Sequence, residues 1–193
     1  MKHFALAAAL ATAAAVATPA VAAPEKYMLD ASHSQVLFSY NHLGYSTTWN
    51  MFSGFEGEIM FDQEDPANSS VTVSMPLDSL FTGWEGRFKH FMSPDFFDAR
   101  GGEMIMFSST GIEVTGDSTA KIMGDLTVNG VTKPVTLDAV LNQTGDHPMQ
   151  GKPWAGFDAS TTILRSDFDL GNFAPAVSDE IEVLISIEAE KAE

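Results

Sequence analysis

From about residue 23 onward, apolar and polar residues alternate with a period of two along nearly the whole chain. That pattern marks strands with one buried and one solvated face. Val36, Phe38 and Tyr40 share one face of the first long run. Phe55, Gly57, Ile59 and Phe61 share a face of the next, opposite Glu56, Glu58 and Asp62. Val71, Val73 and Met75 alternate with Thr72 and Ser74, and Ile122, Gly124, Leu126 and Val128 with Lys121, Asp125 and Thr127. Asn129-Gly130 predicts a type I′ hairpin turn, because both positions tolerate positive φ. Beyond it Val135, Leu137, Ala139 and Leu141 line up, and the last run sets Ile181, Val183, Ile185 and Ile187 against Glu182, Ser186 and Glu188. Further strands are predicted over 103–113 and 157–168.

The rhythm changes only between residues 78 and 99. Trp84, Phe88, Phe91 and Met92 fall at helical spacing, and Ser93-Pro94 ends that helix. Turn signals at 65–68, 115–117 and 145–153 separate the remaining runs. The expected class is all-β: about eight antiparallel strands with one short helical excursion. A sandwich and a closed barrel both satisfy the pattern; closure has the merit of removing edge strands.

The first 22 residues read differently. Met1-Lys2-His3 is a short basic start, Phe4 to Val16 is apolar and Ala-rich, and Ala20-Val21-Ala22 follows a Thr-Pro break. This is the pattern of a secretory signal peptide, leaving residues 23–193 as one exported domain. The chain contains no cysteine, which excludes a lipoprotein anchor, disulfide scaffolds, thiolate metal sites and cysteine nucleophiles. Export without cysteine fits the periplasm. Lys and Arg total 10 against 26 Asp and Glu, a net charge of −16, which argues against nucleic acid as a partner. No run after residue 23 is long and apolar enough for stable membrane insertion.

Several ordered blocks are similar to one family. Leu29-Asp30-Ala31-Ser32-His33-Ser34 runs on through Val36, Phe38, Tyr40 and His42. Then come Phe88-Lys89-His90-Phe91-Met92-Ser93-Pro94-Asp95-Phe96-Phe97-Asp98, the run Met106 to Thr110, and Gly124 to Val135 with its Asn-Gly turn. Arg165-Ser166-Asp167-Phe168 and Val177-Ser178-Asp179-Glu180-Ile181 close the series. Together they resemble the YceI-like domain over essentially residues 23–193. Gly86-Arg87-Phe88-Lys89 departs from the Arg and Asp expected close together before the His. The resemblance implies a single extended lipocalin-like antiparallel β-barrel with an apolar pocket. It implies a periplasmic protein that binds polyisoprenoid lipids such as quinones, polyprenols or their precursors, in some members under stress. It assigns no catalytic residues.

On that reading the candidate ligand contacts are inward strand residues and the excursion. Phe38, Tyr40, Phe55, Ile59, Met106, Leu126 and Ile163 would line the bore, while Phe88, Phe91, Phe96 and Phe97 would cap it, with 83–102 as a gate. With 14 Phe and 10 Met the chain has the side chains for an adaptable apolar lining, and Met60, Met75, Met104, Met106 and Met123 all fall in strand-like runs. His42 is a candidate contact for a polar head group. Arg165 interrupts the run Thr161 to Leu164. Facing inward it needs a carboxylate or a ligand head as partner; facing outward among surface acids it needs nothing special, and the outward placement is the expected one.

No metal site is expected, since His33, His42, His90 and His147 lack ligand spacing. No catalytic site or cofactor is expected beyond a bound isoprenoid lipid or quinone as ligand, and the chain would be a monomer or homodimer. On pattern alone three readings stay open: a lipid carrier, an exported enzyme acting on a bound lipid, and a stress-related interaction module with a filled core.

Overall fold

The computed structural model of the chain describes residues 23–193; the expected signal peptide lies outside the described residues. The period-two runs form strands, as β-branched and aromatic positions flanked by turn residues favour. In chain order they are β1 (Glu25–Leu29), β2 (Gln35–His42), β3 (Ser46–Phe52), β4 (Glu56–Phe61) and β5 (Ser70–Pro76). After the excursion come β6 (Met104–Val114), β7 (Thr119–Val128), β8 (Val131–Asp146), β9 (Pro153–Leu164) and β10 (Glu180–Lys191). Asn129 and Gly130 both have positive φ, so the β7–β8 turn is the one predicted.

All pairings are antiparallel, and β1–β4–β5–β6–β7–β8–β9–β10 returns to β1, closing an eight-stranded barrel. β1 and β2 act as one wall strand bent at residues 30–34. The C-terminal half of β10 pairs with β1 and its N-terminal half with β2. β3 folds back on β2 as a hairpin. Its other edge meets the rest of the molecule through one bridge, Met51 to Phe81.

The excursion carries the short helix that the Trp84–Met92 spacing predicts, ending before Ser93-Pro94. A 3₁₀ turn at Leu77–Ser79 leads to α1 (Glu85–Phe91), and tight turns follow through Phe97. The strand expected over 157–168 ends earlier, at Leu164, where Arg165–Phe168 turns as a 3₁₀ segment. The excursion, the β7–β8 turn and the loop 165–179 all lie at one end of the barrel. Loops 62–69, 115–118 and 147–152 lie at the other.

Two buried clusters brace the wall. One joins Val36, Phe52, Phe55, Leu77, Leu80, Phe168 and Leu170 at the helical end. The other joins Tyr27, Ile59, Phe61, Ala155 and Ala189 toward the opposite end. Gly124 serves a steric purpose: a Cβ there would lie 2.4 Å from the Phe107 ring and 2.7 Å from the Ser108 carbonyl. Its hydrogen lets the aromatic ring lie across β7. Replacing Gly124 with Val is therefore expected to lower the unfolding free energy by about 1–3 kcal/mol, the cost of overpacking, measured by denaturant unfolding.

Candidate functional site

Inward-facing residues of the wall leave the barrel hollow. Ile122, Leu126, Val135, Ile163, Val183 and Ile185 point inward in register, yet each stays only partly buried. Inside a closed ring, that residual accessibility belongs to an internal space. The space is a cavity of about 300 Å³. Small inward residues help to create it: Ala139 of β8 and Ala159 of β9 face each other across the ladder and both line it. An eight-stranded barrel can either fill its bore with side chains or hold one ligand, and this one leaves room.

One end of the cavity is plugged by aromatics. Phe38 stacks on Phe52 at 5.5 Å, and its edge meets Phe91 at 6.3 Å. Phe91 contacts Phe96 and Phe97 at 5.4 and 6.5 Å. The cavity's other end reaches Pro66, Ser69 and Ser70 on one side and Gly116 to Thr119 on the other. Most of that second set is exposed, so the bore meets solvent at this rim. The segment 83–102 thus forms the closed end of the bore.

The expected contacts divide as follows. Phe38, Phe55, Ile59, Phe91, Phe96, Phe97, Leu126, Ile163 and Arg165 line the cavity. Phe88 packs against the buried cluster behind it. Tyr40 lies edge-on to Phe91 at 6.1 Å, outside the lining. His42 is exposed, at the end of β2, and carries no contact with the bore. Met106 is half-exposed at 47%. It nevertheless borders the cavity, level with Ser74 and Thr127 and between the inward Ile105 and Phe107. Of the five strand methionines, Met75 and Met106 border the bore. The lining also includes Phe52, Phe61, Val73 and Phe107, which the strand alternation points inward once the register is known.

Arg165 corrects the outward expectation. It is 8% exposed, at the closed end of the cavity. Nε donates to the Ser178 carbonyl at 2.9 Å and Nη2 to that of Val177 at 3.1 Å. Nη1 donates to the carbonyls of Leu170 and Asn172. The loop 165–179 folds around the guanidinium and turns its carbonyls toward it. That supplies, from backbone dipoles, the solvation that surface acids were expected to give. Burial pulls the Arg165 pKa below the ordinary arginine value, and Asp179 opposes that shift. An arginine so placed stays cationic. Phe96 packs under its charge at 6.0 Å, and Asn172 donates to the Asp95 carbonyl at 2.6 Å, tying this loop to the plug.

Asn50 is a second buried polar group, 3% exposed, opposite Phe38 on β3, with neither amide atom hydrogen-bonded. On the outer wall, Asp30, His33 and Glu188 bring ligand-type atoms within 4.8 Å of one another. Protein partners already engage them: His33 Nδ1 lies 2.6 Å from Asp30 Oδ2, and Trp154 donates to Glu188 at 3.0 Å. They read as an ion-pair network at the β1–β2 bend.

That network makes a pH prediction. The Asp30 hydrogen bond raises the His33 pKa above its ordinary 6.5. Burial pushes the Asp30 carboxyl up, but hydrogen bonds from His33 and Ser32 outweigh it and hold the carboxyl below its ordinary 3.8. On the alkaline side the pair's stabilisation is complete below pH 6.5 and fades as the pH rises through the raised His33 value. On the acid side it is present above pH 3.8 and lost as the pH falls through the lowered Asp30 value. An NMR titration is expected to place His33 above 6.5, and Asp30→Asn to return it toward that figure.

Comparison with known proteins places this architecture. The YceI-like domain pattern matches residues 27–189, from β1 to β10. The YceI protein of Escherichia coli O157:H7 is 40% identical over 169 residues, covering 88% of this chain and 87% of that protein. The crystal structure of YceI from Campylobacter jejuni superposes with a TM-score of 0.71 at 28% identity, over 79% of this chain and 90% of that one. A polyisoprenoid binding domain from Saccharophagus degradans, at 15% identity, shares the fold with a TM-score of 0.67, over 86% of this chain and 98% of that one. The match takes in both the strands that close the ring and the aromatic segment that plugs it, and on that ground the chain belongs to the YceI-like family.

Proposed function

We propose that this protein binds an amphiphilic lipid with an isoprenoid chain, a quinone, a polyprenol or a precursor, and carries or sequesters it in the periplasm as part of a stress response. The hollow apolar bore carries the reading. A rigid wall of Ile, Val, Leu and Phe around an unfilled space makes sense for an apolar occupant that would otherwise meet water. The polyisoprenoid binding domain with the same fold supports the choice of lipid. The function is binding, with the barrel shielding the chain and no chemical step assigned to it.

Burial of methyl and methylene groups supplies the affinity. Each methylene moved from water contributes about 0.8 kcal/mol, so each five-carbon isoprenoid unit adds up to about 4 kcal/mol before chain ordering is subtracted. Methyl-branched unsaturated chains bend at fixed points and can follow a bore whose walls are uneven. The net charge of −16 keeps the loaded carrier soluble and away from anionic surfaces. Among the described residues no helix is long and apolar enough to cross a membrane.

Mass spectrometry of an organic extract of the purified protein tests the reading. A near-stoichiometric isoprenoid lipid is expected; absence of lipid together with failure to take up added quinone overturns it. A second test uses the cavity itself. Ala159→Phe would place a ring in the empty bore. It is expected to change the unfolding free energy by less than about 1 kcal/mol, where a filled core would lose about 1–3. The same variant should lose roughly tenfold or more in lipid affinity.

A further inference from the structure

The bore is apolar along its walls but not electrically neutral at its ends. Three charged residues border it: Arg165, Asp117 and Asp158. Asp117 is exposed in the rim loop, and Asp158 is exposed on β9 between inward Phe157 and Ala159. Arg165 alone is buried, and it stands at the closed end. Among the described residues no carboxylate oxygen lies within 4.0 Å of it; the Asp179 carboxylate is instead taken up by the Ser166 amide and hydroxyl at 2.8 and 2.6 Å. Four of its five N–H donors are used by loop carbonyls, which leaves one.

A cation in such a place is incompletely compensated. Carbonyl dipoles offset part of the desolvation cost, but the charge still projects down a tube of low polarizability, where its field is weakly screened. An acceptor oxygen arriving at that end gains a charge-assisted hydrogen bond of the stronger kind. At the rim the same oxygen would meet Asp117 within a chain of net charge −16. Asn50 offers no competing anchor, since it does not line the bore.

We infer that the lipid binds head first: an amphiphile whose polar end presents acceptor oxygens, as quinone carbonyls or a prenyl phosphate do, sets that end at Arg165 and leaves its tail toward the rim of Ser69, Ser70 and Thr119. This rests on the lipid-binding reading and adds the direction of insertion and the chemistry of the head. A head with donors only, or none, gains nothing at the guanidinium. The arrangement selects lipids by their oxygens, while the walls select only for apolar bulk.

Two probes with the same ten-carbon tail test it on the whole protein. Decylubiquinone carries acceptor oxygens; decylbenzene carries none. With wild-type protein and decylubiquinone labelled with ¹³C in its methoxyl groups, NMR contacts from the head are expected to Phe96, Phe97 and Ile163. Contacts to Ser69, Ser70 and Thr119 instead would overturn the inference and leave lipid binding intact. Arg165→Lys is expected to weaken decylubiquinone about tenfold and decylbenzene less than about twofold, since a charge-assisted hydrogen bond contributes about 1.5–3 kcal/mol. Equal weakening of both probes by a folded variant would likewise overturn it. If the variant does not fold, the wild-type contacts decide alone. Failure of both probes to bind wild-type protein would remove the lipid-binding reading and this inference together.

Discussion

Everything in this molecule depends on ring closure. Eight antiparallel strands joined edge to edge satisfy their own backbone donors and acceptors, so the wall needs no packed interior to hold its hydrogen bonds. That independence permits a hollow centre. In a two-layer sandwich the same apolar faces would have to meet each other to be buried. Here the faces meet a space, and packing is concentrated in two clusters of fully buried side chains, one around Phe168 and one around Tyr27. Stability and function draw on different parts of one sheet.

The helical end shows how the hollow is finished. α1 and the turns after it bring Phe91, Phe96 and Phe97 over the bore, and the loop 165–179 wraps its carbonyls around Arg165 beneath them. These two segments are far apart in the chain and hold each other through Asn172 and the Phe96–Phe173 contact at 5.7 Å. The plug is therefore a joint structure, and its buried cation, Arg165, is held by backbone. Side chains around it stay free to be apolar.

Strand identity was legible wherever alternation was clean, as in β7, β8 and β10. The fold and the general lining followed from that pattern and the family resemblance. Where legibility failed, the causes are local. β1 is five residues long, too short for a period to register. In β3 Asn50 is buried and the neighbouring Trp49 exposed, so polarity there does not follow burial. In β6 a bulge between Ser109 and Gly111 switches the pleat, with Ile105 and Phe107 inward before it and Ile112 and Val114 after it. A single phase cannot be read through such a break. Arg165 was misread because its partners are carbonyls, which every residue possesses and no sequence pattern advertises.

The bent first wall strand leaves a mechanical signature. Neighbouring strands around most of the ring are held by continuous ladders, but the free edge of the β2–β3 hairpin is fastened to the excursion by a backbone bridge of two hydrogen bonds, Met51 N to Phe81 O at 3.0 Å and Phe81 N to Met51 O at 2.7 Å. Parting the wall at that seam breaks this bridge and the bond from Ser53 N to Ser79 Oγ at 3.3 Å; parting it elsewhere breaks a ladder. Breathing of the barrel should then be lateral and one-sided, like a sleeve with a short lengthwise slit beside its stopper. Amide exchange in β3 would report it earlier than exchange between β9 and β10, whose shared ladder runs unbroken.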